Sequence, residues 1–320
     1  MKAPVDQLRT LPPGSVVTIG NFDGVHLGHR ALLAHARDEA RRRGTVAVAV
    51  TFDPHPMAVL RPESAPLRLT PLDLKVELLQ SAGADEVVVL PPSQDILSLE
   101  AEDFFALLSR DARVAHLVEG ESFCFGRNRR GTVDVLRAWT RDAGMGLTVL
   151  PSVEVGLLDR IRVPVSSSLI RTLAGYGRVR DAGICLGGPL FLVGRVVEGQ
   201  RRGRQLGFPT ANLDCTGNVV PGDGVYAARV RLAGETFAAA VHVGPVPTFG
   251  VGQRQVEVHL LGFSGDLYGQ TLRVEVIDYL RDLRKFASLD ALKARLSVDC
   301  AQAARLAELP DLLAPTWGPM

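Results

Sequence analysis

The sequence is poor in cysteine and poorer still in lysine relative to arginine, and each shortage excludes chemistry. Its 320 residues hold 4 cysteines, Cys124, Cys185, Cys215 and Cys300. They are far apart and form no CxxC pair, which fits neither a disulfide framework nor a zinc ribbon and suits a reducing compartment. The lysines are Lys2, Lys75, Lys285 and Lys293 alone. All stand outside the glycine loops, no GK[ST] string occurs, and a Walker A phosphate loop is therefore absent. Without HRD and DFG strings, a protein-kinase reading fails as well. An excess of one charge sign is also missing, with 36 basic and 35 acidic residues and a net charge of +1 at pH 7. No global field draws in nucleic acid or an anionic membrane. No stretch approaches the ~20 apolar residues of a membrane helix, and MKAPVDQLRTLPPG has no signal-peptide core. The expectation is a soluble, cytoplasmic protein without nucleic-acid or membrane partners.

What is present describes a globular chain, 46% hydrophobic and 22% charged. Its length suits two domains of about 100–200 residues each. The first half alternates apolar runs with helical patterns. Strands are expected at 16–20, 45–52, 86–90, 116–119 and 147–150, and helices at 31–43, 71–82, 100–110 and 132–143. Arg41, Arg42 and Arg43 read as a solvated helix end, where cations suit the dipole. This β-α-β-α order predicts a Rossmann-like parallel sheet covered by helices, with ligands at the carboxyl ends of the strands. Past residue 187 the texture changes. Strand patterns at 190–197, 224–232, 235–243, 255–263 and 272–280 predict a small antiparallel β-barrel, and 289–306 a terminal amphipathic helix. The expected division is 1–185, 186–310 and a tail at 311–320.

The string GNFDGVHLGH at 20–29 follows a buried strand and opens a helix. A helix N-terminus offers unsatisfied N–H groups and the positive end of a dipole, so it receives phosphate. His26 and His29, three apart, can point the same way and donate hydrogen bonds to a triphosphate as charge builds on the attacked phosphorus. Gly28 removes a side chain where a nucleotide would approach the backbone. A metal site with Asp23 as third ligand and a purely structural turn are the competing readings. TFDPHP at 51–56 places His55 at the same sheet edge, or is simply a rigid strand-end turn. SSSLIR at 166–171 is a capped helix start. It could also hold a leaving pyrophosphate through hydroxyls, helix N–H groups and Arg171.

GRQLGFPTAN at 203–212 is the second informative string. With no lysine there, a triphosphate would be held by magnesium, backbone N–H groups and arginine. Thr210 and Asn212 alternate as on a strand, so both can offer oxygen to a hard cation from one face. An ordinary proline-containing turn is the alternative.

These strings resemble the bacterial bifunctional riboflavin kinase/FAD synthetase family, whose N-terminal domain is an HxGH nucleotidyltransferase. The resemblance also covers GDGVYA at 222–227, VGPVPTF at 243–249, EVHLL at 257–261, DLYG at 266–269 and the KF that closes 280–286. It implies two ATP-dependent steps with Mg2+: riboflavin to FMN with release of ADP, then FMN to FAD with release of pyrophosphate. Carried over by motif, Gly20, Phe22, Asp23, Gly24, Gly28 and His55 would bind ATP around the catalytic His26 and His29. Ser167, Ser168 and Arg171 would steady its phosphates. In the second half Gly203, Arg204, Gly207, Pro209, Thr210 and Asn212 would bind ATP, Thr210 and Asn212 holding the metal, under a mobile flap at 201–204. Glu257 would be the base for the ribityl 5′-hydroxyl.

The chain departs from the pattern in places. Ser122 stands where Asp or Asn is usual, Ser168 and Leu169 where Thr and Arg are common, and His242 where Asn is common. Two alternatives therefore stay open at this point: an enzyme in which only the kinase half works, and a flavin-binding regulator without catalysis.

Overall fold

Short runs of Val, Ile, Ala and Leu build the first sheet. The computed structural model describes residues 4–199, 203, 206–245 and 254–308. The chain divides into two compact units, Met1–Pro66 with Leu72–Glu154, and Leu67–Pro71 with Val155–Met320.

In the first unit, strands β1 (Val16–Ile19), β2 (Ala47–Phe52), β3 (Glu86–Leu90), β4 (His116–Gly120) and β7 (Gly146–Leu150) form one sheet in the order β3-β2-β1-β4-β7. Every neighbouring pair is parallel. β5 (Cys124–Phe125) and β6 (Gly131–Thr132) make a separate two-stranded ribbon. Strand β1 is buried throughout, as expected of a central parallel strand covered on both faces. The helix Leu27–Arg43 buries Leu33, Ala36 and Ala40 and ends on Gly44 in the left-handed region, φ 67°. There the Gly44 and Thr45 N–H groups donate back to Arg41 and Ala40 carbonyls, a glycine C-cap that stops the helix before β2. The strand order reverses direction between β1 and β4. Ligands of such sheets sit at that switch point, outside the carboxyl ends of the strands.

The expected helix over 100–110 is two pieces, an α-helix Ala101–Ala106 and a wider π turn Leu107–Asp111. Leu107 and Leu108 in the wider turn are both buried.

In the second unit, β10 (Leu190–Val197), β11 (Ala211–Asp214), β12 (Gly224–Leu232), β13 (Glu235–Gly244), β14 (Gln255–Leu260) and β15 (Thr271–Arg281) close a barrel in the order β10-β11-β14-β13-β12-β15. All its pairings are antiparallel. Alternate residues fill the interior: Ala239, Val241 and Val243 from β13, Val256, Val258 and Leu260 from β14. The residues between them face outward. β8 (Glu154–Gly156) and β9 (Arg162–Pro164) form a small ribbon ahead of the barrel.

The helices Ser167–Gly175 and Val179–Leu186 put Ile170, Leu173, Val179, Ala182 and Cys185 into the same apolar cluster as the barrel strands. Packing therefore divides the chain at Glu154/Val155, while the change of sequence texture falls near 187. The terminal helix Leu289–Glu308 closes the described chain, and the tail at 311–320 lies outside the described residues.

Candidate active sites

The first site is the turn between β1 and the helix Leu27–Arg43. Gly20 still pairs with β2, its N–H donating to Val50 O at 3.0 Å. The chain then turns through Phe22 (φ 48°), Gly24 (φ 86°) and Val25 (φ 40°). Positive φ at a buried Phe and a β-branched Val is strained backbone, tolerated where the surroundings over-determine it and common at functional turns. Phe22, Asp23, Val25 and His26 are all buried.

Phe22 and His26 hold the His29 ring on two sides. The His26 and His29 rings stack with centroids 3.5 Å apart and planes 18° off parallel. The Phe22 ring meets His29 edge-on at 5.1 Å. A Cβ on Gly28 would stand 3.2 Å from His26 Cε1, so the glycine makes room for the folded-over His26 ring. His26 itself is the residue that caps the helix, immediately before Leu27.

The electrostatics follow from this packing. Burial pushes the His29 imidazole well below the ordinary 6.5, and the neighbouring His26 and Lys75 push it the same way. Two stacked imidazoles beside an ammonium repel a further positive charge, so His29 is neutral near pH 7. Its Nδ1 is buried and has no hydrogen-bond partner among the described residues. With Nδ1 unpartnered, the neutral ring is able to carry its proton on Nε2 and donate from there.

The neighbouring loop is tied to this turn by side chains. His55 Nε2 hydrogen-bonds the Asn21 side-chain amide at 3.1 Å, while His55 Nδ1 accepts from the Met57 N–H. Thr51 Oγ1 donates to Asn21 O at 3.1 Å. Lys75, on the helix Leu72–Ser81, is buried and donates to Phe52 O at 2.8 Å and to Asn21 O at 3.4 Å. In sequence Lys75 is remote from the glycine string; in space it reaches Asn21 within it. Its signal was one of only four lysines placed in a helix interior. A second group invisible in the motifs is Glu119, buried at the end of β4. The β1–β4 ladder runs only from Val16↔His116 to Val17↔Leu117, and Glu119 then accepts the Ile19 N–H at 2.9 Å. Burial pushes its carboxyl well above 4.5.

Ser166 caps the helix Ser167–Gly175, its hydroxyl accepting from Leu169 N at 3.2 Å. Ser167 and Ser168 are its first residues. The Arg171 Nε donates to Leu67 O at 2.8 Å, so this guanidinium has a protein partner. The segment belongs to the second unit, whereas His26, His29 and His55 belong to the first. Ser122 is exposed at the surface.

The second site lies on the outer face of the barrel. Asn212 on β11 pairs with Glu257 on β14, and Glu257 pairs with His242 on β13. Directly opposed residues share a face, so Asn212, Glu257 and His242 form one row. Thr210 precedes β11 two residues before Asn212 and continues the outward set. Pro209 is fixed by His259, two residues beyond Glu257 on the same face, whose Nδ1 lies 2.7 Å from Pro209 O. The His259 ring also meets Phe208 edge-on at 5.6 Å. His259 stands inside EVHLL, and its period of two from Glu257 was the available signal.

Gly207 turns the chain at φ 88° and Gly203 accepts from the Phe208 N–H at 2.9 Å. Close approach requires glycine at both ends of this cradle. A Cβ on Gly203 would lie 2.3 Å from Phe208 O and 3.3 Å from Thr210 Oγ1, and one on Gly199 would lie 2.0 Å from Asn212 Nδ2. Arg204 and most of the expected flap lie outside the described residues.

Among the described residues no cluster of three or more His, Cys, Asp or Glu could hold a metal ion. The Thr210 hydroxyl and Asn212 amide are neutral hard-oxygen donors. They fit a magnesium ion that completes its shell with phosphate oxygens and water. Beside Thr210 opens a pocket of about 400 Å³, lined by Val196, Leu260, Phe263, Leu267 and Tyr268 among others.

Two family models match in tandem: FAD synthetase over residues 8–163 and riboflavin kinase over residues 186–307. A bifunctional riboflavin kinase/FMN adenylyltransferase of Pseudomonas fluorescens is 39% identical over 302 residues, covering 94% of this chain and 95% of the relative. The chain belongs to the bifunctional riboflavin kinase/FMN adenylyltransferase family. A family member from Escherichia coli K12 is 37% identical over 288 residues, covering 89% of this chain and 90% of the relative. A solved structure described as a macrolide-efflux protein from Streptococcus pneumoniae superposes with a TM-score of 0.81 at 32% identity, covering 93% of this chain and 96% of that one. Efflux is the description of that protein; among the described residues here, no helix is long and apolar enough to cross a membrane.

The histidine turn falls inside the FAD synthetase match, and the Asn212–Glu257 row inside the riboflavin kinase match. Ser167, Ser168 and Arg171 lie between the two matches.

Proposed function

We propose that this chain phosphorylates riboflavin to FMN on the barrel and adenylylates FMN to FAD at the histidine turn, taking ATP at both sites. The observation that carries the reading is the pairing of two unlike phosphate sites on one chain. One is built from two stacked imidazoles at a helix N-terminus, the other from Asn212 and Glu257 in register on neighbouring strands.

In the kinase step, Glu257 accepts the proton of the ribityl 5′-hydroxyl as its oxygen bonds to the γ-phosphorus and ADP departs. Such a hydroxyl is too weak an acid to ionise unaided, so the base matters to the rate. Thr210 and Asn212 would hold magnesium, which supplies neutralisation of the phosphate charge. The pocket beside Thr210, with apolar walls and the polar Ser264 and Asp266, suits the nucleoside end of ATP, and Gly203, Gly207 and Pro209 shape the backbone over its phosphates.

In the adenylyl step, an oxygen of the FMN phosphate attacks the α-phosphorus and pyrophosphate leaves. No group on the protein forms a bond to phosphorus. The neutral His29 and the stacked His26 donate to the phosphate oxygens as charge builds. A neutral donor near pH 7 needs no proton returned to it after each turnover. Gly20, Phe22, Asp23, Gly24 and Gly28 shape this turn, with His55 beside it. Ser167, Ser168 and Arg171, at the start of a helix in the other unit, have the chemistry to hold an anion, as helix N–H groups and a guanidinium suit one. Free cysteines throughout the described residues suit the reducing cytoplasm.

Product analysis with riboflavin, ATP and magnesium tests both halves. FMN should form first and FAD after it. FMN accumulating without FAD, even with FMN supplied in excess, would leave only the kinase half working. Absence of both products would overturn the enzymatic reading. Glu257→Ala should abolish FMN formation while supplied FMN is still converted to FAD, and His29→Ala should do the reverse.

A further inference from the structure

Lys75 stands out among buried charges because its ammonium touches backbone on both loops of the histidine site. It donates to Asn21 O, inside the GNFDGVHLGH turn, and to Phe52 O, at the end of β2 just before the loop that carries His55. Asn21 in turn meets His55 through its side chain and Thr51 through its carbonyl. One ammonium thus joins the two loops that, among the described residues of the first unit, bring histidines to the carboxyl edge of the sheet. A buried ammonium is costly unless its donors are used, and here they are used on the backbone of the site.

We propose that Lys75 is a positioning residue of the adenylyl-transfer site, fixing the β1 and β2 loops against each other through Asn21 O and Phe52 O. The inference rests on the adenylyl-transfer reading given above. Lys75 acts through Asn21 and His29, and no bond from it to substrate is invoked.

Burial is the chief influence that holds the His29 imidazole low; His26, from the turn ahead of its own helix, and Lys75, from the helix Leu72–Ser81, push it the same way. Asp23, buried in the same turn, has interactions of its own. The sign follows from charge. A cation beside an imidazole disfavours imidazolium, so removing it lets His29 take up a proton at higher pH.

Lys75→Met and Lys75→Arg in the full chain test this. With Met, the turnover of FMN to FAD should fall about a hundredfold, the scale expected when a reacting geometry slips by about an ångström. Riboflavin phosphorylation should stay within about twofold of the unmodified chain, and that retained activity reports folding. The acid limb of the FAD-forming pH profile should move to higher pH in Lys75→Met, and the His29 ring signals in an NMR titration should move with it. Arg keeps the charge and should restore the limb. If FAD formation is lost with the limb and the His29 titration unmoved, Lys75 is structural only and the inference is overturned. If Lys75→Met fails to fold, the limb in Lys75→Arg and its His29 titration still decide, since a limb displaced despite the retained charge overturns it. If the unmodified chain makes no FAD, it is the adenylyl-transfer reading that fails, while the NMR titration still tests the field from Lys75.

Discussion

At the residue scale, the carboxyl edge of the sheet contains a group that no motif announces. Glu119 is 1% exposed and accepts the Ile19 N–H where the β1–β4 ladder stops. Its carboxyl is held well above 4.5, chiefly by burial, against the opposing pull of that hydrogen bond. A raised carboxyl favours the protonated form in the fold. Its stabilising share is therefore complete below about 4.5 and is lost as pH rises through the folded value. Glu119→Gln keeps an acceptor for Ile19 and removes the ionisation. The variant should melt close to the unmodified chain in acid and above it near neutral pH, measured by melting temperature across a pH series. A constant offset at every pH would show that Glu119 does not titrate with the fold.

At the element scale, the terminal helix is attached by charge as much as by apolar contact. Asp299 is 1% exposed and takes Arg281 Nε at 3.0 Å and its Nη2 at 2.8 Å, with Arg295 Nε at 2.9 Å. Arg281 comes from β15, so the carboxylate links helix to barrel. Removing the acid takes away the carboxylate that Arg281 and Arg295 share, leaving Arg281 its bond to Asp282 O. Loss of one member of a buried pair costs about 3–5 kcal/mol, and the partial exposure of both arginines places this case at the low end. Asp299→Ala should lower the unfolding free energy of the second unit by about 3 kcal/mol, read from its urea midpoint and slope, and Asp299→Asn by less because it keeps an acceptor oxygen. Equal stability of all three chains would mean the helix is held by its apolar face alone.

The strand pattern at this scale was only partly legible. Alternation marked β10, β12, β13, β14 and β15, because each is long and has one face in the barrel interior. The four residues of β11 lie behind a glycine- and proline-rich run, and the alternation of Thr210 and Asn212 is too short to set its bounds. Only pairing with β10 and β14 makes them a strand. In the first unit, Gly44 marked the end of the helix Leu27–Arg43 because a left-handed C-cap needs glycine. Its start was expected at 31 and lies at Leu27, since a turn of Gly, Leu and His carries no apolar periodicity.

At the scale of the whole molecule, the two units have separate apolar clusters. Leu90, fully buried, belongs to a cluster of the sheet unit, and the barrel cluster contains Val241, Val258 and Val274. Leu90→Ala should cost about 2–5 kcal/mol of core packing. Heated chains assayed for both products should lose FAD formation several degrees earlier than the unmodified chain, with FMN formation persisting to the usual temperature. Simultaneous loss of both products would show that the units unfold as one.

The sequence by itself determined the class of each half and the strings that carry the chemistry. Period-two and period-3.6 patterns are local consequences of backbone geometry. The strings GNFDGVHLGH and LGFPTAN are contiguous, so a reader of the chain meets them whole. Tertiary structure alone decided which distant groups serve those strings. Lys75 reaches Asn21 across 54 residues, Glu119 reaches Ile19 across 100, and His259 reaches Pro209 across 50. It also set His242 opposite Glu257 and Glu257 opposite Asn212. Register and helix docking create these contacts, and both depend on how whole elements pack, which no short window of residues encodes.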